Sequence, residues 1–354
     1  MRVLLASLLS AACHTADPID PHADGARVER SLALMGTSLE IVVEARDRAT
    51  ALAASERAVR ALEATEARLS TWRPDSELSR LNATPALEPF PMSAELAADL
   101  AAARRWWLAT DGRFDPGVGG LVQAWGLREG GRRPTQSELR QAQAAGGLAS
   151  LSLDGRHATR EHPDLILEEG GFGKGAGLDA ALSALRQAGA TRAVLDLGGQ
   201  VALLGPGPFR LRVAHPDDRG RPLLEVSLDG GSLATSGNSE RGIVVEGTRL
   251  GHLLDPRTGR PAADFGSITV WAQDALTADC LSTALYVAGP DAALAWVAER
   301  PGIEVIVIER AGESLRVRAS AGLRGRLRPL GNELTVHFPP FTPLTLLTPT
   351  DPQK

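Results

Sequence analysis

The sequence predicts an α+β fold, two-lobed, with mixed or antiparallel sheets and flanking helices. Three observations predict it. Helical and strand periodicities alternate along the chain without the sustained βαβ rhythm of a doubly wound sheet. Short strands separated by Gly and Pro turns fill residues 209–254, which implies antiparallel pairing. The length of 354 residues suits about two domains or one large two-lobed unit.

The elements follow in order. Met1-Arg2 is a minimal positive n-region, residues 3–9 are a short apolar run, and Ser10-Ala11-Ala12-Cys13 follows. Residues 1–12 resemble a bacterial lipoprotein signal, cut before Cys13 and lipidated there, which anchors a chain without spanning the bilayer. Residues 13–30 read as a polar tether, residues 31–338 as the folded unit and residues 339–354 as an irregular Pro-rich tail. Residues 31–45 predict a strand or hairpin. Residues 49–69 predict a helix, with Leu52, Val59, Leu62 and Leu69 near helical spacing. Residues 93–109 predict a second helix capped by Ser93, and residues 135–145 a short third one. Residues 151–153 and 164–168 read as strands, 174–188 as a helix, and 193–197 as a strand ending in Gly198-Gly199. Residues 268–271 read as a strand, 274–287 and 291–299 as helices, and 303–308 with 315–317 as a hairpin.

Composition excludes several classes. Hydrophobic residues are 43% and charged residues 23%, enough for an ordinary core and against global disorder. The net charge is -5, where a phosphate-backbone binder is usually basic, so no nucleic-acid partner is expected. No apolar run reaches the roughly 18 residues of a membrane span. Cys13 and Cys280 are the only cysteines, which excludes a disulfide scaffold and a multi-cysteine zinc site. The only lysines are Lys174 and Lys354, so the interior one stands out, and it sits among glycines.

Four segments carry candidate chemistry. In residues 168–179 a strand gives way to glycines and a helix starts near Lys174. A helix N-terminus with close backbone approach favours an anion. The P-loop spacing is absent, and a glycine turn with a surface lysine fits these residues equally well. In residues 251–261, Asp255-Pro256 leads into a turn and His252 lies just upstream, although a lone histidine is more often structural. On the helix at residues 274–287, Asp279 and Thr283 are i and i+4, with Ser282 at i+3. Oxygen ligands of that kind suit Mg²⁺, with carbonyls, water or substrate completing the shell; a structural Asp and a back-bonded Ser or Thr are the plainer account. Residues 112–126 form a turn-rich loop anchored by Phe114 and Trp125, a wall for a flat ring or a loop packed on itself.

Together and in this order, the segments resemble the FAD:protein FMN transferase family, the ApbE-type flavin transferases. The matching pieces are Met35-Gly36-Thr37, residues 70–82, Phe114-Asp115-Pro116 through Trp125-Gly126, and Gly173-Lys174-Gly175 with Asp179. Leu197-Gly198-Gly199, Ala234-Thr235-Ser236-Gly237, residues 252–261 and Ala278-Asp279 through Leu285 complete them. The resemblance implies that FAD, the substrate, binds between the lobes with Mg²⁺. The FMN moiety would pass to a Thr or Ser hydroxyl of an exported acceptor protein, and AMP would leave. It implies that Met35, Trp72, Arg113, Phe114, Asp115, Glu168, Lys174 and Leu253 line the FAD. Asp279 and Thr283 would hold the metal, helped by Ser282 and the Gly171 carbonyl. Lys174 and His252 would serve catalysis, with His252 beside the phosphoryl group; there it is either the base, because imidazole exchanges protons near neutral pH, or a phosphate ligand. Glu168 stands where the family usually has Asp, Gly171 where a small side chain is usual, and Trp72 where Tyr is usual. None of these removes a required charge. With the lipid on Cys13, the protein is expected at the periplasmic face of a bacterial membrane. An FAD pyrophosphatase yielding FMN and AMP, and a non-catalytic flavin-binding lipoprotein, are the alternatives.

Overall fold

The computed structural model describes residues 25–238, 242–331 and 334–339. The signal, Cys13 and residues 340–354 of the expected tail lie outside the described residues. No helix among the described residues is long and apolar enough to cross a membrane.

The centre is a nine-stranded sheet. Its strands are β1 (Ala26–Leu34), β2 (Thr37–Ala45), β3 (Ala190–Leu197), β4 (Gln200–Leu204), β5 (Gly231–Gly237), β6 (Gly266–Ala272), β7 (Glu304–Ala311), β8 (Ser314–Ala319) and β9 (Val336–His337). They lie side by side in chain order, antiparallel throughout except for the parallel β8–β9 pair. The expected hairpin at residues 31–45 is β1–β2, but β1 begins at Ala26, inside the stretch read as tether. Val28 is why: it is buried against the same core as Ile41 and Val43. The two-residue turn is Met35-Gly36, with φ of 51° and 69°. Two left-handed residues match the twist of the flanking strands, and glycine accepts this freely where methionine does not.

Eight helices occur among the described residues: α1 (Arg48–Leu69), α2 (Glu77–Ala83), α3 (Ala94–Ala109), α4 (Gly119–Ala124), α5 (Gln136–Ala144), α6 (Gly173–Gln187), α7 (Ala275–Ala288) and α8 (Pro290–Ala298). α1 is where the periodicity puts it, capped by Asp47, whose side chain accepts from Thr50 N–H at 2.7 Å. Its buried stripe runs through Ala51, Ala54, Ala58 and Leu62, while Leu52 is 52% exposed. The small alanines let α1 and α6 lie close over Leu39, Ile41, Leu195 and Leu197. Alternation then divides the faces of β7. Val305 and Val307 meet Leu281 and Leu285 of α7. Ile306 and Ile308 meet Leu211 and Val226 of a three-stranded sheet built from Phe209–His215, Asp218–Leu228 and Leu327–Pro329. The α+β class, with largely antiparallel sheets and flanking helices, is therefore as expected.

Two local expectations change. Residues 165–169 form no strand, although the Gly119 N–H donates to the Ile166 carbonyl at 3.0 Å and the Glu168 N–H to the Pro116 carbonyl at 2.7 Å. The Asn82 side chain takes the place of a neighbouring strand, donating to the Leu167 carbonyl at 2.9 Å and accepting its N–H at 2.8 Å. The loop at residues 112–126 contains α4, and Trp125 is buried at its end. The Trp125 indole N–H donates to the Gly259 carbonyl at 2.8 Å, and Gln143 of α5 donates to the Arg257 carbonyl at 2.9 Å. These contacts dock the 255–261 turn on α4 and α5.

Candidate functional site

The site is built where α6 and α7 begin. A Cβ on Gly175 would stand 2.4 Å from the Ala275 carbonyl oxygen and 2.6 Å from the Leu276 Cα, so only glycine lets the helices cross this closely. Each helix then caps the other. Asp179 on α6 accepts from the Ala275 N–H at 2.8 Å and the Leu276 N–H at 2.9 Å. Asp279 on α7 accepts from the Gly175 N–H at 3.0 Å. First-turn N–H groups with no partner in their own helix are thus met by a carboxylate from the neighbour, placed favourably for each helix dipole. Burial pushes the Asp179 carboxyl up to about 6, against the pull of its two N–H donors. Gln200 on β4 donates to the Ala275 carbonyl at 2.8 Å and ties the crossing to the sheet.

The second oxygen of Asp279 faces Lys174, whose Nζ donates to it at 3.1 Å. Asp279 is 4% exposed, so this charge is held inside the protein by the lysine and the helix end. One turn further along α7, Thr283 meets the glycines before α6. A Cβ on Gly171 would lie 3.3 Å from Thr283 Oγ1 and 3.1 Å from Phe114 Cε2. Ser282 is buried, donates to the Asp279 carbonyl at 3.0 Å and pairs with Ser236 of β5 at 2.9 Å. The Thr235-Ser236-Gly237 stretch therefore braces α7. Among the described residues no group of three His, Cys, Asp or Glu could hold a metal. The available donors are one carboxylate, hydroxyls and a backbone carbonyl, a hard-oxygen set that fits Mg²⁺.

A second cluster stands at the far end of the same glycine segment. The Arg128 guanidinium donates to Glu168 Oε2 at 2.5 Å and to the Thr71 carbonyl at 3.1 Å, and lies 4.3 Å from the centroid of the Trp72 ring. Burial pushes the Glu168 carboxyl up, and Arg128 opposes that shift. Met35 reaches the α6 side of the site, with its sulfur 3.2 Å from where a Gly177 Cβ would be.

The structure thus joins Lys174, Gly171, Phe114, Asp279, Ser282 and Thr283 at the helix crossing, and Trp72 with Glu168 at the second cluster. Arg113 and Asp115 make their polar contacts within their own loop and its neighbour. Arg113 donates to the Thr110 carbonyl at 3.1 Å. Asp115 accepts from the Gly117 N–H at 2.7 Å and the Leu148 N–H at 3.0 Å, and burial pushes its carboxyl up to about 6. His252 is half-buried between the Thr248–Gly251 strand and Leu254. Leu253 packs on the cluster that includes Leu281 and Leu285 of α7. Two contributions were not singled out from sequence. Asp179 belongs to the matching motif, but its capping of α7 needs the fold to be seen. Arg128 is one arginine in an arginine-rich chain, and no spacing marks it.

A lysine and a buried carboxylate where α6 and α7 cross, with the Ser282 and Thr283 hydroxyls further along α7, are groups chemically suited to phosphate oxygens and a hard cation. The chain belongs to the ApbE family, whose family model matches residues 35–307. It is similar to the FAD:protein FMN transferase of Vibrio cholerae, 32% identical over 274 residues, which cover 75% of this chain and 82% of the relative. The FAD:protein FMN transferase of Escherichia coli K12 is 32% identical over 268 residues, 72% of this chain and 76% of the relative. Among solved structures, the flavin transferase ApbE from Vibrio cholerae superposes with a TM-score of 0.75 at 29% identity, covering 85% of this chain and 99% of that one. The ApbE protein from Thermotoga maritima superposes with a TM-score of 0.77 at 28% identity, covering 86% and 100%.

Proposed function

We propose that the chain is a FAD:protein FMN transferase that joins FMN to a Thr or Ser hydroxyl of an exported acceptor protein and releases AMP. The observation that carries this reading is the Lys174–Asp279 pair, 3.1 Å apart where two helices start, with Thr283 beside Gly171. Asp279, Thr283 and the Gly171 carbonyl, supported by Ser282, are the residues that would hold Mg²⁺. When bound, the ion supplies positive charge to the pyrophosphate oxygens.

The chain's own residues do the rest. FAD would lie between the lobes, with Met35, Trp72, Arg113, Phe114, Asp115, Glu168 and Leu253 lining it and Lys174 reaching its phosphates from the start of α6. Lys174 carries three N–H donors and spends one on Asp279, which leaves others for phosphate oxygens. The acceptor hydroxyl oxygen attacks the FMN phosphorus in line. A new P–O bond forms, the bridging P–O bond breaks, and its electron pair leaves with AMP. His252 takes the hydroxyl proton. Positioning and charge neutralisation account for most of the acceleration in such transfers. Residues 1–13 support a lipid anchor at Cys13 and a reaction on the periplasmic face.

The test is incubation with FAD and Mg²⁺, with and without a candidate acceptor protein from the same genome. The expected result is flavin fluorescence on the denatured acceptor, with a mass gain equal to one FMN ester. Free FMN and AMP in both arms, with no flavin on protein, would replace transfer by hydrolysis. Unchanged FAD in both arms would refute catalysis.

A further inference from the structure

Trp72 is 68% exposed, an indole left in solvent beside a half-buried acidic cluster. One face is covered: the Arg128 guanidinium lies 4.3 Å from the ring centroid. That much exposure with one face covered leaves the opposite face open. The same guanidinium reaches the acidic cluster. Its Nη2 is 2.5 Å from Glu168 Oε2 and 2.5 Å from Thr71 Oγ1, and its Nη1 is 3.1 Å from the Thr71 carbonyl. Thr71 Oγ1 is in turn 2.5 Å from Glu169 Oε2. Two adjacent carboxylates therefore converge on one hydroxyl, and Arg128 is the cation that touches the group.

We propose that Arg128 is a positioning residue for substrate: it fixes Trp72 and Glu168 as one rigid wall, against whose open indole face a flat aromatic ring stacks. The inference rests on the flavin-transfer reading and deepens it. Only an arginine can do both tasks at once. Its planar guanidinium stacks on an aromatic face while its N–H fork donates sideways to a carboxylate. A lysine would keep the charge and lose the plane. Without the cation, Glu168 would be a half-buried carboxylate beside a second one, and the Trp72 ring would be free to change rotamer. Holding the ring in its binding rotamer in advance spares the substrate that ordering cost. The ring that FAD brings to this wall is its isoalloxazine or its adenine, and both offer the same stacking chemistry.

The experiment measures FAD, FMN and ADP affinity of the full chain without acceptor, by flavin fluorescence quenching and by calorimetry. It compares wild type, Arg128→Ala, Arg128→Lys, Trp72→Ala and the Arg128→Ala/Trp72→Ala double variant, with a melting temperature for each. Arg128→Ala should raise the FAD Kd about three- to thirty-fold, the range of a cation–π contact from exposed to desolvated. Arg128→Lys should recover part of the loss. In the Trp72→Ala background the Arg128 substitution should cost much less, because the residue acts through that ring. The fold-change should appear with FMN if the wall takes isoalloxazine, and with ADP if it takes adenine. Equal FAD affinity for wild type and Arg128→Ala would overturn the role of Arg128 alone. So would an equal cost with and without the indole. A wild type that binds none of the three ligands would overturn the flavin reading and this inference with it.

Discussion

Asp179 gives a prediction whose size follows from its surroundings. Its carboxylate caps the first N–H groups of α7 and is pushed by burial from an ordinary 3.8 up to about 6. A raised acid binds its proton in the folded state before the unfolded chain does. Its burial therefore costs stability above pH 6, and the cost is relieved as pH falls toward 3.8. Between pH 7 and pH 4.5 the relief is about 2 kcal/mol from this group alone. Asp179→Asn cannot titrate, so it lacks that gain. Its amide oxygen can still accept one of the two N–H groups, which keeps α7 near its place. Urea unfolding of wild type and Asp179→Asn at both pH values reads the difference directly. The variant should lose about 2 kcal/mol relative to wild type on going from pH 7 to pH 4.5. Parallel pH dependences would refute a desolvated, ionised Asp179 at this helix crossing.

Other outcomes follow from the same geometry. Gly175→Ala would push a methyl carbon to within 2.4 Å of the Ala275 carbonyl oxygen, so it should destabilise the fold by about 1–3 kcal/mol and depress transfer; a thermal melt equal to wild type would contradict the close crossing. His252→Ala should slow flavin transfer by about 10²- to 10⁴-fold while FAD affinity holds, the signature of a lost base. If FAD affinity and turnover fall together, and His252→Gln restores them, the residue is a phosphate donor instead. Processed in a bacterial host, the chain should begin at Cys13 with a diacylglyceryl mass increment, and an unmodified Cys13 would sink the anchor.

Much of the fold could be read in the chain because its signals are local. The pattern of residues 31–45 announces a strand or hairpin, residues 303–308 and 315–317 announce a second hairpin, and Asp274 and Ser93 announce helix starts. What could not be read depends on distant partners. Residues 165–169 carry an apolar run fit for a strand, but the Asn82 side chain satisfies Leu167 where a strand would have done so. Leu52 keeps helical spacing yet faces out, because alanines, not leucines, set the approach of α1 to α6. At the site, Asp279 and Thr283 were legible as i and i+4 on one face, and Lys174 as the one interior lysine. The Ser282 hydroxyl, expected beside a metal, is bonded to Ser236 and to its own helix, a pairing that only the fold creates. Arg128 was illegible for the same reason: its meaning lies in three residues that sequence places 40 or more positions away.

The central claim is that flavin transfer to the acceptor depends on the Asp279 carboxylate as the charged group that would hold the metal. Asp279→Asn tests it most directly, because the amide keeps the shape and can still accept the Gly175 N–H while the charge is gone. Transfer of FMN to an acceptor is measured for wild type and variant over a range of Mg²⁺ concentrations, with melting temperatures alongside. The account predicts a folded variant with no detectable transfer at Mg²⁺ concentrations that saturate the wild type. A variant that transfers FMN at the wild-type rate at low Mg²⁺ would contradict it.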